Sequence, residues 1–539
     1  MWFNRQKKQM RENYGKKPDI HYFDGDMRGI KSYFNYREQN DLDEFLVDDT
    51  TWNDLAGDEI FKRINQGLST SGEQYLYYLL RSPTLHKSEY EKRAKLIEIM
   101  EKDPELRLKL QIILMQLGRS RQANTTEVFS PAAHGLRQMF IYIALVISLI
   151  TSAVSLIFTF AFVPLLVVLF VFIPVYHNIM ASRNSRELAT VNYSVAMVYA
   201  AKKINKLSYQ GFTEYHRTMR EAMKRLKPIL RLGFIPSKNS LGEIAELINS
   251  FILLDLIGFE LMKNLLGKHH ADIFHIHEQL GQLDSAIAVA SYRKNLGNYA
   301  IPEISFNIAP KEETPASAGS KIHIVGTALI HPLVEGAVPN DFDITSSVLL
   351  TGSNASGKST FLKTVVINAI FAQSICTVLG ESFTASAFRI YSSMAITDNI
   401  LAGESYFISE IKSLKRIVEA DSSKQPLLCV IDEVLRGTNT VERIAASSEL
   451  LRHLSDKNAI CLAATHDIEL TSLLESNYKM LHFEETVTDD GEVLFDYLLK
   501  GGPATTRNAI KLLAGMGFDK KLVKRADERA NLYTQEGRW

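Results

Sequence analysis

Cysteine is scarce. Cys376, Cys429 and Cys461 are the only three in 539 residues, and no two of them stand at a CxxC or other metal-ligand spacing. So odd and sparse a set argues against a disulfide framework and fits a reducing compartment; each lies in an apolar run, as small buried residues do. Net charge is also lacking, with 61 Lys+Arg against 61 Asp+Glu. That balance removes the simplest argument for a nucleic-acid binder, a strongly basic chain. Residues 1–17 are polar and basic and contain no apolar core, so a cleaved secretory signal is not expected. With 46% hydrophobic and 23% charged residues, disorder throughout is excluded. The length suggests about two to four domains.

The most informative absence is local. Residues 139–176 form a run of 38 without Asp, Glu, Lys, Arg or His. One membrane helix needs about 20 apolar residues, so the run is long enough for two. Pro164, or the small and polar stretch 151–159, would accommodate a tight turn between them. Both flanks are basic, with Arg119, Arg121 and Arg137 before the run and Arg183 and Arg186 after it. Basic flanks place both ends in the cytoplasm, as a re-entering hairpin requires. The competing reading is a helical pair buried in a soluble core. Such helices usually keep a polar face, and this run has none. The expectation is a two-helix transmembrane hairpin at 139–176 in an inner, cytoplasmic membrane, with the rest of the chain in the cytoplasm.

Around that run the texture is helical. Stretches 54–81 (stopped by Pro83), 106–117 and 240–266 carry apolar residues at helical spacing. Between 202 and 231, nine basic residues face only Glu214 and Glu221, a local charge of +7. Lys202, Lys203, Lys206, Arg217, Arg220, Lys224 and Arg225 belong to this run. A solvated helix face, anionic lipid headgroups and a nucleic-acid backbone all suit it. Residues 309–320, rich in proline, small and charged residues, read as a linker. Beyond them, short apolar β-type runs alternate with helical patterns, the signature of an α/β domain with a largely parallel sheet.

Three motifs in this second half carry chemistry. Gly352-Ser-Asn-Ala-Ser-Gly-Lys-Ser359 fits GxxxxGK[ST] between a strand-like run and a helical one. Its glycines let backbone N–H groups and a helix N-terminus face phosphate oxygens. Lys358 would reach the β- and γ-phosphates, and the Ser359 hydroxyl would ligand Mg²⁺. Pro426-Leu-Leu-Cys-Val-Ile-Asp-Glu433 is an apolar run ending in two carboxylates, as a buried parallel strand beside a ligand would. Asp432 suits the Mg²⁺ and Glu433 the activation of the attacking water. A third apolar run, 458–464, ends in Thr465-His466-Asp467, where His466 is placed to sense the γ-phosphate.

Together these residues resemble the MutS family of DNA mismatch-repair ATPases, relatives of the ABC-type ATPases. The resemblance covers the chain after the linker: Thr351-Gly-Ser-Asn-Ala-Ser-Gly-Lys-Ser-Thr360, Asp432-Glu-Val-Leu-Arg-Gly-Thr-Asn-Thr440 and Ala464-Thr-His-Asp-Ile-Glu-Leu-Thr471. It implies ATP contacts at Gly352, Ser353, Asn354, Ala355, Ser356, Gly357, Lys358, Ser359 and Thr360, and a ring stacked on adenine at Tyr497. Gly403-Glu-Ser-Tyr-Phe407 matches the stretch in which a serine reaches the opposite subunit's nucleotide. Ser405 would therefore act in trans, in a homodimer with composite sites. The tail around 515–526 is similar to the helical element that helps the ATPase subunits pair. Upstream, 68–83 with Arg93 is similar to the start of the family's helical core and levers.

Departures from the family are equally specific. Only about forty residues precede the core-like region, too few for the family's mismatch-probing domains. Leu435 stands where glycine is usual, and the hairpin lies inside the helical core. The expected protein is thus a mixed one: a polar tail (1–40), a helical MutS core-like region (41–308) holding the hairpin, and a P-loop ATPase domain (321–539). It would bind and hydrolyse Mg·ATP as a dimer and bind DNA without probing mispairs. A membrane transport or remodelling ATPase is the alternative, although no intramembrane charge marks a path. A nucleotide-gated scaffold with little turnover is a third, argued against by the intact Asp432–Glu433 pair.

Overall fold

A computed structural model of the chain describes residues 2–23, 25–41, 44–129, 136–207, 213–232, 243–306, 322–353, 356–394, 406–436, 438–487, 493–504, 509–515 and 517–536. The linker 309–320 and Ser405 lie outside them. Two compact units emerge, and neither is a continuous block of sequence. One comprises 1–42, 64–78 and 95–295; the other comprises 43–63, 79–94 and 296–539.

The first unit is helical. Its longest helix, His270–Leu296, is enclosed along most of its length. Fully buried His277 lies there against Tyr33 and Phe129, at ring-centroid distances of 4.9 and 5.1 Å. Desolvation holds that imidazole down at about 3, so it is neutral at physiological pH. Asp284, on the same helix, accepts the Leu68 and Ser69 amides at 3.0 and 2.8 Å and the Ser69 hydroxyl at 2.6 Å. Burial nonetheless pushes its carboxyl up to about 6.

The apolar run becomes two helices, Arg137–Ser155 and Val163–Arg183, joined by a turn and a short 3-10 segment, Phe160–Phe162. The turn begins at Leu156, inside the small and polar stretch. Pro164 occupies the first turn of the second helix, where its missing N–H costs nothing. Both helices are long and apolar enough to cross a membrane. Between Phe140 and Val175, seventeen large apolar side chains are exposed. This is far beyond the patch of roughly a few hundred Å² that soluble monomers leave bare. A helical pair enclosed in a core is not what forms.

Two helical stretches are interrupted where sequence spacing reads as continuous. Residues 54–81 divide between Gly57–Ile64 and Thr70–Arg81, and 240–266 between Glu243–Ile252 and Leu254–Lys268. The second break falls at Leu253, whose φ of 54° is left-handed. Hydrophobic period survives such a one-residue kink, so spacing alone does not reveal it.

The second unit is built on sheets. Its strands are β1 (Glu303–Ser305), β2 (Ile324–Leu329), β3 (Asn340–Ile344), β4 (Val348–Thr351), β5 (Ser382–Ser386), β6 (Arg389–Ser393), β7 (Leu427–Asp432), β8 (Ala459–Ala464), β9 (Lys479–His482), β10 (Glu485–Val487), β11 (Val493–Phe495) and β12 (Lys500–Gly501). The main sheet has the order β12-β9-β4-β8-β7-β6, parallel throughout except for antiparallel β12. A second, mixed sheet has the order β1-β5-β2-β3, and β10 pairs with β11. Strands β4, β7 and β8 are buried at every position, as the continuous apolar runs require of strands covered on both faces. Their register aligns Leu350 and Asp432 on either side of Ala464, so three strands end together.

Segments from early in the chain complete this unit. Asp54 accepts the Ser392 hydroxyl at 2.6 Å and the Met394 amide at 3.0 Å just past β6. Arg81, fully buried, donates to the Val47 carbonyl at 2.9 and 2.7 Å. Arg93 donates to the Ser82 carbonyl at 2.9 Å. The Thr84 amide donates to the Gln373 carbonyl at 3.2 Å, at the far end of helix Lys358–Ser374.

Candidate functional site

The site forms where β4, β7 and β8 end, the usual crevice for ligands in a parallel sheet. Ladder bonds continue one residue beyond the strands: Glu433 N–H donates to the Ala464 carbonyl at 2.9 Å, and Thr465 N–H to the Leu350 carbonyl at 3.0 Å. The next side chains are thereby aimed along the strand axes into one small volume.

After β4 the chain turns at Gly352 and enters helix Lys358–Ser374 at Gly357. Two glycines are required by space. At Gly352 (φ 140°) a Cβ would sit 2.5 Å from the Phe483 carbonyl oxygen, and at Gly357 (φ 104°) 3.1 Å from the Tyr497 ring. Ser356 closes the turn by donating its hydroxyl to the Ser353 carbonyl at 2.8 Å, while the Ser353 hydroxyl donates to Glu485 at 2.9 Å. Lys358 curls back over its own loop, donating to the Gly352 and Ser353 carbonyls at 2.7 and 2.6 Å. Desolvation lowers its ammonium pKa despite nearby Glu433, Asp432 and Glu485. Asn354 and Ala355, in the middle of the loop, lie outside the described residues.

Ser359 donates its hydroxyl to Asp432 at 2.5 Å. These hard oxygens suit Mg²⁺, which takes few protein ligands and completes its shell with water and phosphate. Among the described residues no group of three or more His, Cys, Asp or Glu forms a metal cage.

Glu433 is the most constrained residue of the set. It is buried, carries a left-handed φ of 58°, and accepts from His466 Nδ1 at 3.1 Å and from the Arg436 guanidinium on the same oxygen. Burial pushes its carboxyl upward, but the bonds and charges of His466 and Arg436 outweigh that and hold it at about 2. Reciprocally, the bond to Glu433 raises the His466 imidazole above its ordinary value. Thr465 and Arg443 fix the histidine's neighbour: Thr465 accepts the Asp467 amide at 3.0 Å, and Arg443 donates to Asp467 at 2.6 and 3.0 Å. Leu435 adopts φ 58° and packs into the core beside Val434, Leu451 and Leu470. A left-handed conformation costs a non-glycine residue about 1–2 kcal/mol, so burial offsets local strain here.

Tyr497 lies over the helix start. Asn340 holds its segment at both ends, donating to the Tyr497 carbonyl at 2.9 Å and accepting the Leu499 amide at 2.8 Å. The ring borders a pocket of about 370 Å³ shared with Gly357, Thr360, Thr364, Phe342 and His331. Burial holds His331 neutral, near 4.

Lys358, Ser359, Asp432, Glu433 and His466 are thus brought together, with Gly352, Ser353, Ser356, Gly357, Thr360 and Tyr497 around them. The basic run is elsewhere, in the helical unit. Lys202, Lys203, Lys206, Arg217, Arg220 and Lys224 are exposed there, and Lys203 donates to Gln116 at 2.7 Å. Arg225 is engaged by Asp272 at 2.6–3.0 Å. Sequence reasoning missed Arg436, although it stands three residues after Glu433 in a quoted motif. It also missed Glu410, whose carboxylate accepts the Arg436 amide at 3.3 Å and whose pKa burial raises. Asn340 and His331 carried no sequence signal, because their roles depend on strands brought together by the fold.

Residues 348–533 match the family model described as MutS domain V. The chain is similar to the protein named DNA mismatch repair protein MutS 2 of Halobacterium salinarum, 33% identical over 225 residues covering 40% of this chain and 26% of that one. It is also similar to DNA mismatch repair protein MutS of Thermus thermophilus, 32% identical over 201 residues covering 36% and 24%. To the MutS of Lactobacillus delbrueckii subsp. bulgaricus it is 28% identical over 292 residues, 52% of this chain and 32% of that one. The chain therefore spans about a quarter to a third of the length of the curated relatives it matches. The similarity to MutS domain V is thus confined to residues 348–533, which hold most of the parallel sheet and its GxxxxGKS motif.

Proposed function

We propose that this protein is a membrane-anchored ATPase that binds and hydrolyses Mg·ATP as a homodimer and couples that cycle to DNA. The observation carrying the proposal is the convergence of Lys358, Ser359, Asp432, Glu433 and His466 at the ends of three adjacent parallel strands. Lys358 would exchange its two loop carbonyls for β- and γ-phosphate oxygens, a swap eased by its lowered pKa and its position at a helix N-terminus. Ser359 and Asp432 would hold Mg²⁺, which would supply charge neutralisation for the phosphates.

Glu433 would take the proton of the attacking water as the γ-phosphoryl bond breaks and ADP leaves. Held at about 2, it is a poor acceptor at neutral pH. One of its two donors must therefore move first. His466, half exposed, is the freer of the two, and a γ-phosphate would draw it away. Nucleotide binding would then raise the basicity of Glu433 only when substrate is present. Ser405 would complete the site from the second subunit. Exposed Phe518, Leu522 and Leu532 support pairing through the C-terminal helices.

The exposed apolar surface of 139–176 supports a hairpin inserted in the cytoplasmic membrane, with basic residues at its entry and exit. DNA is proposed because the similar proteins are named for DNA mismatch repair and because 202–231 is basic. The deciding experiment measures phosphate release by full-length protein in detergent and in vesicles, with duplex, mismatched and branched DNA, for wild type and Glu433→Gln. Unchanged turnover in Glu433→Gln would end the ATPase assignment. Absence of DNA binding at low salt, where phosphate contacts are strongest, would end the DNA assignment. Stimulation by vesicles alone would favour a membrane-remodelling engine.

A further inference from the structure

The helix Glu243–Ile252 is absorbed by none of this. It packs along the second hairpin helix, and its Phe251 ring lies 4.6 Å from that of Phe170. The chain then kinks at Leu253, and Leu253 and Leu256 are buried among Tyr142, Leu169 and Ile173 of the two hairpin helices. Asp255 fastens this arrangement through His177 Nε2, at 2.9 and 3.1 Å. His177 is the first titratable residue after the apolar run.

The outer side of this element is as apolar as the hairpin it leans on. Leu247, Ile248, Ile252 and Leu254 are 62%, 52%, 44% and 64% exposed. The charges of the helix, Glu243 and Glu246, are confined to its first turn, leaving the eight residues 247–254 uncharged. Phe170 stands seven residues before His177, which is about 10 Å along a helix at 1.5 Å per residue. Phe251 is therefore level with the interior of the apolar run, well inside its boundary at His177. Ten residues rise about 15 Å, half of a hydrocarbon core of about 30 Å, so the helix is too short to span.

We propose that residues 247–254 form a third bilayer-inserted element, a half-depth wedge whose exposed face contacts lipid acyl chains. This rests on the hairpin reading, since the wedge's depth is set by its contacts with the hairpin. Lipid is the occupant because the exposed face is continuous with that of the hairpin and bears no charge.

The test uses full-length protein in phosphatidylcholine–phosphatidylglycerol vesicles, with single cysteines carrying an environment-sensitive fluorophore at I248C, I252C and, in the hairpin, V168C. Native Cys376, Cys429 and Cys461 are fully buried and leave little background. Retained nucleotide binding reports that each variant is folded. The wedge predicts blue-shifted emission at I248C and I252C, quenched by acyl-chain spin labels to an extent comparable with V168C. Quenching at V168C but not at I248C and I252C, with those two open to aqueous thiol reagents, overturns the wedge and leaves the hairpin. The same lack of quenching with protection from thiol reagents means that a second protein copy covers the face, and overturns it as well. No quenching at any of the three overturns the hairpin reading itself.

Discussion

The phosphate-loop helix Lys358–Ser374 and the hairpin helix Arg137–Ser155 differ little in length, 17 residues against 19, and both are rich in Ile, Val, Leu, Phe and Ala. Fourteen residues of the first are buried, against two, Tyr142 and Ser152, of the second. Apolar composition therefore does not say where a helix goes. The phosphate-loop helix has Lys358, Ser359 and Thr360 at its start and Asn368 and Gln373 further along. Each of the latter two hydrogen-bonds backbone of neighbouring segments: Asn368 accepts the Leu379 amide at 2.8 Å, and Gln373 accepts the Phe388 amide at 3.0 Å. Those polar groups would go unsatisfied in hydrocarbon. In the hairpin, the hydroxyls of Thr151, Ser152 and Ser155 bond carbonyls of their own helix, which needs no neighbour and suits a solvent that offers no hydrogen bonds.

This contrast has consequences that can be broken one at a time. The largest concerns activity. Lys358→Ala should lower ATP turnover by about 10²–10³-fold, the usual loss for one preorganised phosphate or oxyanion donor. Val168→Lys in the hairpin should leave turnover in detergent unchanged. Equal losses in a phosphate-release assay would mean that the two regions are not separable. Next comes stability. Ile367→Ala, at a position 1% exposed, should cost about 2–5 kcal/mol in denaturant unfolding. Val168→Ala, at a position 61% exposed, should cost less than about 0.5 kcal/mol in detergent. In membranes the order inverts: Val168→Lys penalises insertion by about 3 kcal/mol, seen as loss from the pellet after alkaline extraction, while Ile367→Ala has no effect on it.

The smallest effect is a titration. Glu433, depressed to about 2, contributes stability that is full above its unfolded value and is lost as pH falls towards 2. His466, raised, contributes stability that is full below about 6.5 and is lost as pH rises through its folded value. Both contributions are present together between about pH 4.3 and 6.5. NMR of the nucleotide-free protein should find His466 above its ordinary value, and Glu433→Gln should return it towards that value. An unmoved His466 would separate the histidine from the carboxylate.

Legibility differed between these regions for physical reasons. The strand–loop–helix around Gly352–Ser359 was readable because the GxxxxGK[ST] pattern puts glycines where the turn leaves no room for a Cβ. The ends of β7 and β8 were readable because a strand buried on both faces leaves one long apolar run. Arg436 as a partner of Glu433 was hidden by the backbone, since its reach depends on the left-handed φ at Glu433 and Leu435. Asn340, which fastens Tyr497 from 157 positions away, was hidden by sequence distance. The break at Leu253 was hidden because one left-handed residue hardly disturbs a helical period.

What the sequence by itself determined is a set of local patterns: a GxxxxGKS loop, two carboxylates after a buried strand, a histidine after the next, and an apolar run without charge. Each is a short-range pattern imposed by covalent spacing or by burial of consecutive residues. Only the tertiary structure decided which of these meet and which face solvent. Parallel pairing of β4, β8 and β7 sets Lys358, Glu433 and His466 in one volume, because strand register is fixed by buried neighbours far away in sequence. The folded helical unit leaves the faces of 137–183 and 247–254 without protein partners among the described residues.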